Sequence, residues 1–201
     1  MHFSAAEIPR ALAYKLMVST IIPRPIAFIT SVSKAGILNA APYSFFNGMG
    51  SAPPVVAIGF EPTAEAAAKD TSSNILETGE FVVNIVDEAL SVQMNEAAAT
   101  LPPEVDEVAL TGLEITASKE VKPPRLSKSP MSMECRLFDH TPLPGGGVII
   151  IGEVLHFHLR DEAVTGHDPL RIDIDKLAPI ARLNGPHYAR ITDKFSIKRP
   201  K

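Results

Sequence analysis

One cysteine, no long apolar run and little positive charge are the first features of this chain, and each shortage removes a class of protein. Cys135 alone cannot form an intramolecular disulfide, and it fits a reducing compartment. No apolar stretch approaches the roughly 20 residues that span a bilayer. Residues 1–14 carry Glu7 and lack the apolar centre of a secretory leader, so a cytoplasmic protein is expected. The 19 Lys and Arg against 23 Asp and Glu give a net charge of −4, which disfavours nucleic acid and membrane surfaces as partners. Only the tail from Lys194 to Lys201 is basic, and it reads as a solvated terminus.

Signature motifs are missing too. There is no G-x-G-x-x-G, no phosphate loop, no H-E-x-x-H, no C-x-x-C and no G-x-S-x-G elbow. No strand–helix–strand alternation points to a doubly wound nucleotide fold. His156 and His158 share a strand face without an obvious third ligand, so they read as structural or surface histidines and no metal is expected. Glu104, Asp106 and Glu107 lie between prolines and read as solvation. Asp173 and Asp175 read as an exposed strand face. Gly145–Gly147 reads as a hairpin turn, because no helix follows it.

What is present is a single domain over residues 1–201, punctuated by clustered prolines and glycines that end its elements. Leu12, Leu16 and Met17 predict a helix over Pro9–Val18. Strands are expected at Ile26–Val32, Ile37–Phe45 and Val55–Phe60, with a tight turn at Ser33–Gly36 and a polar corner after Phe45. A helix capped by Asp70 or Thr71 closes at Gly79. Strand Glu80–Val86 follows. Asp87 caps a second helix in which Leu90, Met94 and Ala98 share a face. Ala99–Pro130 reads as irregular. Met131–Asp139 and Val148–Leu159 are long strands, and Leu177–Ile191 with Phe195–Ile197 finish the sheet. Many strands and few helices imply a mainly β, antiparallel barrel with helical inserts.

Three local clusters could bind a ligand. Lys69-Asp70-Thr71 opens a helix whose first N–H groups suit a phosphate, although Asp70 equally serves as a plain cap. Thr30, Ser31, Asn39 and Ser44 gather polar groups at adjoining strand ends, which turn chemistry alone would also explain. Thr30 and Ser31 face opposite ways on a regular strand, so a shared ligand requires a break in pairing near Ser31. Arg182–Tyr188 sets a Gly beside an aromatic ring, an arrangement that lets backbone approach a flat molecule.

Taken in order, RPIAFITS (24–31), N-x-A-P-Y-S-F-F-N (39–47), K-D-T-x-x-N-I (69–75), E-F-V-V-N (80–84), S-P-M-S-M-E-C (129–135) and R-L-x-G-x-x-Y (182–188) resemble the flavin-reductase-like family. Its members are FMN-binding split β-barrels, flavoredoxin-like proteins among them. The resemblance spans roughly Leu12 to Ile197. It implies a Greek-key antiparallel barrel and a homodimer with FMN between the subunits. It places flavin contacts on Arg24, Ile29, Thr30, Ser31, Asn39, Ala41, Pro42, Tyr43, Ser44 and Asn47, then on Lys69 and Thr71, with Gly185 and Tyr188 near the ring. It implies an FMN-dependent oxidoreductase using NADH or NADPH, with free flavin, oxygen or a partner protein such as a monooxygenase as acceptor. An electron carrier fed by a partner protein and a non-catalytic FMN-binding protein share the same motifs. Hydride chemistry belongs to such cofactors, so the missing catalytic dyad is no objection, and no proton-transfer residue is assigned.

Overall fold

The run Ile26–Val32 carries no polar alternation because both of its faces are covered. In the computed structural model, which describes residues 1–62, 70–99, 101–102 and 104–200, this run forms the second strand of a seven-stranded antiparallel sheet. Helix α1 (Arg10–Thr20) precedes it. Strands β1 (Ala27–Val32), β2 (Leu38–Tyr43), β3 (Phe46–Ser51) and β4 (Pro54–Phe60) lead to helix α2 (Asp70–Thr78) and β5 (Glu80–Ile85). Helices α3 (Ser91–Glu96) and α4 (Glu107–Leu110) and short strands β6 (Ile115–Thr116) and β7 (Arg125–Leu126) come next. The long hairpin of β8 (Met131–Pro142) and β9 (Val148–Leu159) is followed by β10 (Val164–His167), β11 (Leu170–Ile172), α5 (Ile174–Leu177), β12 (Ile180–Arg182) and β13 (Tyr188–Arg190).

The large sheet has the order β2-β1-β5-β8-β9-β4-β3. Its two edge strands are neighbours in sequence, joined by Ser44 and Phe45 alone, so the sheet curls until its ends meet. Gly59 N donates to Phe45 O at 2.7 Å, and the Tyr43 and Phe60 rings lie 4.5 Å apart across the join. Strand alternation then sorts side chains between two cores. Ala27, Ile29, Ile58, Phe81, Val83, Cys135 and Ile150 fill the barrel. Ile26, Phe28, Ala40, Val86, Leu90, Met94 and Leu126 form a second core between the sheet's outer face and the layer containing α3, α4 and β7. Helix α2 closes the barrel with Ile75 and stops at Gly79, whose φ of +77° lets its N–H reach Ile75 O at 2.8 Å.

Several expectations need correction. Helix α1 continues two residues past Val18, with Pro9 as its cap, and buries none of its residues. The polar corner contains a whole strand, β3, hidden in the sequence because glycines and exposure erase its alternation. A bulge between Gly48 and Gly50 interrupts its pairing with β4. In the second helical segment Ala97 rather than Ala98 joins Leu90 and Met94 in the core, as a 3.6-residue period requires. The 99–130 stretch is not uniformly irregular, since it holds α4, β6 and β7. Strand β8 runs to Pro142, three residues beyond Asp139.

The C-terminal reading changes most. Asp173 is not on a strand: it caps α5, accepting from Asp175 N at 2.9 Å. β12 and β13 form their own two-stranded hairpin, and Phe195–Ile197 has no strand and is exposed. The Gly145–Gly147 turn is as expected, with Leu143 N donating to Gly147 O at 2.7 Å. Near Ser31 the ladder differs on its two sides. Pairing with β2 is regular through Val32↔Leu38, whereas pairing with β5 ends at Thr30↔Val82. Among the described residues, no helix is long and apolar enough to cross a membrane, and no group of three His, Cys, Asp or Glu could hold a metal ion.

Candidate functional site

Ser31 and Asn39 are cross-strand partners on one face of β1 and β2, and the first turn of α2 lies against them. Asn39 is the hub of a buried polar network. Its Oδ1 accepts from Thr71 Oγ1 at 2.6 Å and from Ser31 Oγ at 3.2 Å. Its Nδ2 donates to Glu107 Oε2 at 2.6 Å, and Ala40 N donates to the same oxygen at 2.8 Å. Asn74 Nδ2 donates to Ser31 Oγ at 3.2 Å. Such a satisfied network fixes rotamers that would otherwise wander. Tyr43 continues it. Burial pushes its phenol well above the ordinary range, the hydrogen bond with Thr71 pulls the other way, and the charges of Glu107 and Asp70 add to the rise.

Farther along β2 the chain turns at Ser44, and Arg24 takes over. This buried guanidinium donates from Nε to Ser44 Oγ at 3.2 Å, from Nη1 to Val18 O at 2.6 Å and Ile21 O at 2.8 Å, and from Nη2 to Leu183 O at 2.9 Å. It ties the end of α1, the β2–β3 corner and the 182–188 loop into one unit. Burial lowers its pKa; Tyr14 opposes this, and Arg182 adds to it. In the loop, Arg182 Nη2 donates to Gly185 O at 2.6 Å while its guanidinium carbon sits 4.6 Å from the Tyr188 ring centroid. Gly185 has a φ of +56°, and a Cβ there would meet nothing within 4 Å.

Contacts and chain adjacency therefore link Thr71, Asn39, Tyr43, Ser44 and Arg24 in one strip along edge strand β2; Arg24 holds the 182–188 loop through Leu183 O, and Tyr188 of that loop packs against the second core. Ala41 and Pro42 lie within it, half-buried, and Asn47 stands exposed where β3 begins, its Oδ1 accepting from Gly48 N at 2.9 Å. Ser31 lies beneath the strip as a support. Two candidates point elsewhere. The Ile29 side chain is inside the barrel core. The hydroxyl of Thr30 faces the outer layer, donating to Pro124 O at 2.6 Å and accepting from Asn84 Nδ2 at 3.3 Å. Lys69 lies outside the described residues.

Sequence reasoning missed Glu107 and Asn74. Glu107 was assigned to solvation, yet it is buried and holds both Asn39 and the Ala40 N–H. Its partners are 67 and 68 residues away, and the only local hint is Asp106, which caps α4 and so turns the chain inward. Asn74 was visible only as one letter of a motif.

The strip suits FMN, which joins a phosphate, a polyol and a flat ring. The first turn of α2 offers N–H groups with partial positive charge, and Thr71, whose hydroxyl donates to Asn39, fixes that turn against β2. Ala40 N turns outward from the sheet to Glu107, so by alternation Pro42 faces outward too, where its missing N–H costs no ladder bond. Among the described residues no strand pairs with that edge, which lies beside half-buried hydroxyl and aromatic groups.

Comparison with known proteins bears on the family and the fold. The family model for the flavin reductase like domain matches residues 18–172. Nitrilotriacetate monooxygenase component B from Bacillus cereus is 38% identical, with 98% of each chain covered and a TM-score of 0.92. The 2-nitrobenzoate 2-nitroreductase of Pseudomonas fluorescens is 32% identical, covers 100% of this chain and 96% of its own, and has a TM-score of 0.89. A split-barrel protein from Shewanella frigidimarina, 21% identical with all of both chains covered and a TM-score of 0.84, shares the fold.

Proposed function

The chain belongs to the flavin reductase-like domain family, and from that premise we propose that it is an FMN-dependent oxidoreductase taking hydride from NADH or NADPH. The observation that carries the reading is the continuous strip from Thr71 through Asn39, Tyr43 and Ser44 to Arg24 and the 182–188 loop. FMN, when bound, supplies the electron acceptor and donor; the chain supplies position and electrostatics. The first turn of α2, with Thr71, receives the phosphate end, and Lys69, next in sequence, adds its charge there. Asn39 presents one fixed orientation because Glu107, Ser31 and Thr71 hold it. Arg24 fixes the 182–188 loop relative to the β2 corner, so that Gly185 and Tyr188 border the ring.

Likeness to a monooxygenase component B favours a cytoplasmic enzyme that delivers reduced flavin to a partner monooxygenase. It works as a homodimer. Helix α1 exposes Tyr14 and Met17, and Ile21 and Ile22 follow it, exposed as well; a second copy covers this apolar face. Oxidation of NADH and NADPH in the presence of excess FMN without oxygen tests the activity. Protein-dependent oxidation of at least one is expected. Oxidation of neither, with flavin reduced only by a partner protein, would make the chain an electron carrier.

A further inference from the structure

On the sheet's outer face, at the end of the β8–β9 hairpin opposite its glycine turn, lies a cavity of about 440 Å³. Arg125 and Lys128 line one side, and His158, Arg160, Asp161 and Glu162 line the other. None of the residues of the β2 strip reaches it.

Arg125 is the anomaly. The side chain is half-buried and makes no hydrogen bond or ion pair among the described residues, and its Nε is buried without a partner. Leaving that buried N–H unpaired is costly, and the remaining donors of the guanidinium face the cavity without a protein partner among the described residues. The nearby acids do not relieve it. Glu134, beneath His158, already accepts from Lys119 N twice, from Glu120 N and from His158, which fills its lone-pair positions. Asp87 is taken by Arg160 Nη2 at 2.8 Å and Glu114 by Lys128 at 2.6 Å. Asp161 and Glu162 stand exposed on the rim, where water screens them. Among the described residues Arg160 bonds only through Nη2, to Asp87 and Lys128 O, which leaves Nε and Nη1, and Lys128 pairs only with Glu114.

We propose that this cavity is an oxyanion site, in which the fork of Arg125 receives the carboxylate or phosphate group of a small molecule and Arg160 and Lys128 add charge. Planar, paired donors match either group, and a guanidinium loses little hydration in exchange. The site is independent of flavin binding.

Titration calorimetry in chloride buffer at constant ionic strength tests it, with inorganic phosphate and malonate as probes on the wild-type protein and Arg125→Met. Saturable binding of either probe, weakened about tenfold or more in the variant, is expected, on the scale of one charge-assisted hydrogen bond. The tighter probe then tells phosphate from carboxylate. No saturable binding of either probe, or binding unchanged by Arg125→Met, overturns the proposal. Should Arg125→Met fail to fold, Arg125→Lys, which keeps the charge but loses the fork, is read by the same outcomes.

Discussion

Asn39, buried, receives two hydroxyl donors and gives one amide bond, so it is the residue on which the strip turns. Asn39→Ala leaves Thr71 and Ser31 short of an acceptor, a loss of about 1–3 kcal/mol. If Asn39 serves the flavin, the variant also loosens FMN or shifts its reduction potential, as dialysis and redox titration would read. Equal losses of melting temperature in the apo and FMN-loaded forms, with flavin affinity and potential unchanged, would remove it from the site. Asn39 and Thr71 were legible in sequence because helix-start and strand-end motifs are local. Glu107 was not, since only the folded chain brings α4 onto β2. Thr30 was drawn toward the site by its neighbours in the motif, although strand alternation turns it to the other core.

Two further residues give sharp tests. A Cβ on Gly152 would stand 2.4 Å from Phe81 Cζ and 3.4 Å from Cys135 Cβ, all within the barrel. Gly152→Ala is expected to destabilise by about 1–3 kcal/mol through overpacking, measured by denaturant midpoint; a neutral result would mean the barrel yields there freely. His158 Nε2 lies 2.5 Å from Glu134 Oε1. Burial lowers the imidazole pKa, Arg125 and His156 add to this, and Glu134 opposes it. Burial would raise the Glu134 carboxyl, but the N–H groups of Glu120 and Lys119 together with His158 outweigh it and hold it low. Both groups thus bind protons more readily in the unfolded chain. The contribution of His158 is complete above about pH 6.5 and is lost as pH falls through its lower folded value; that of Glu134 is lost further down, below about pH 4. Melting temperature should fall from neutral pH toward pH 5, and His158→Gln should flatten that limb; an unchanged slope would contradict it.

At the scale of elements, strong periodicity made the long strands readable. β9 was expected at its observed limits, and α2 was framed by Asp70 and Gly79. β3 escaped because Asn-Gly-Met-Gly-Ser has neither alternation nor branched side chains. The isolated β12–β13 hairpin escaped because nothing in its sequence says which sheet it joins. Helix α1 was legible as a helix, and the proposed dimer would account for its exposed apolar face. Met17→Asp is expected to weaken the proposed dimer by about tenfold or more, since a charge would enter an apolar contact, without unfolding the monomer. Sedimentation showing the wild type already monomeric at micromolar concentration, with FMN bound, would sink the assembly.

For the whole molecule, an antiparallel sheet closes through the two-residue Ser44–Phe45 link and thereby sets its edge strand β2 beside the helix start of α2 and the loop clamped by Arg24. That layout asks the chain to hold a flavin and to leave the redox chemistry to it. The most direct test is rapid anaerobic mixing of the FMN-loaded protein with NADH and with NADPH, following the visible band of the bound flavin. Bleaching in a single turnover, faster than free FMN reacts under the same conditions, is the predicted result. A flavin that stays oxidised with both nucleotides would contradict the account.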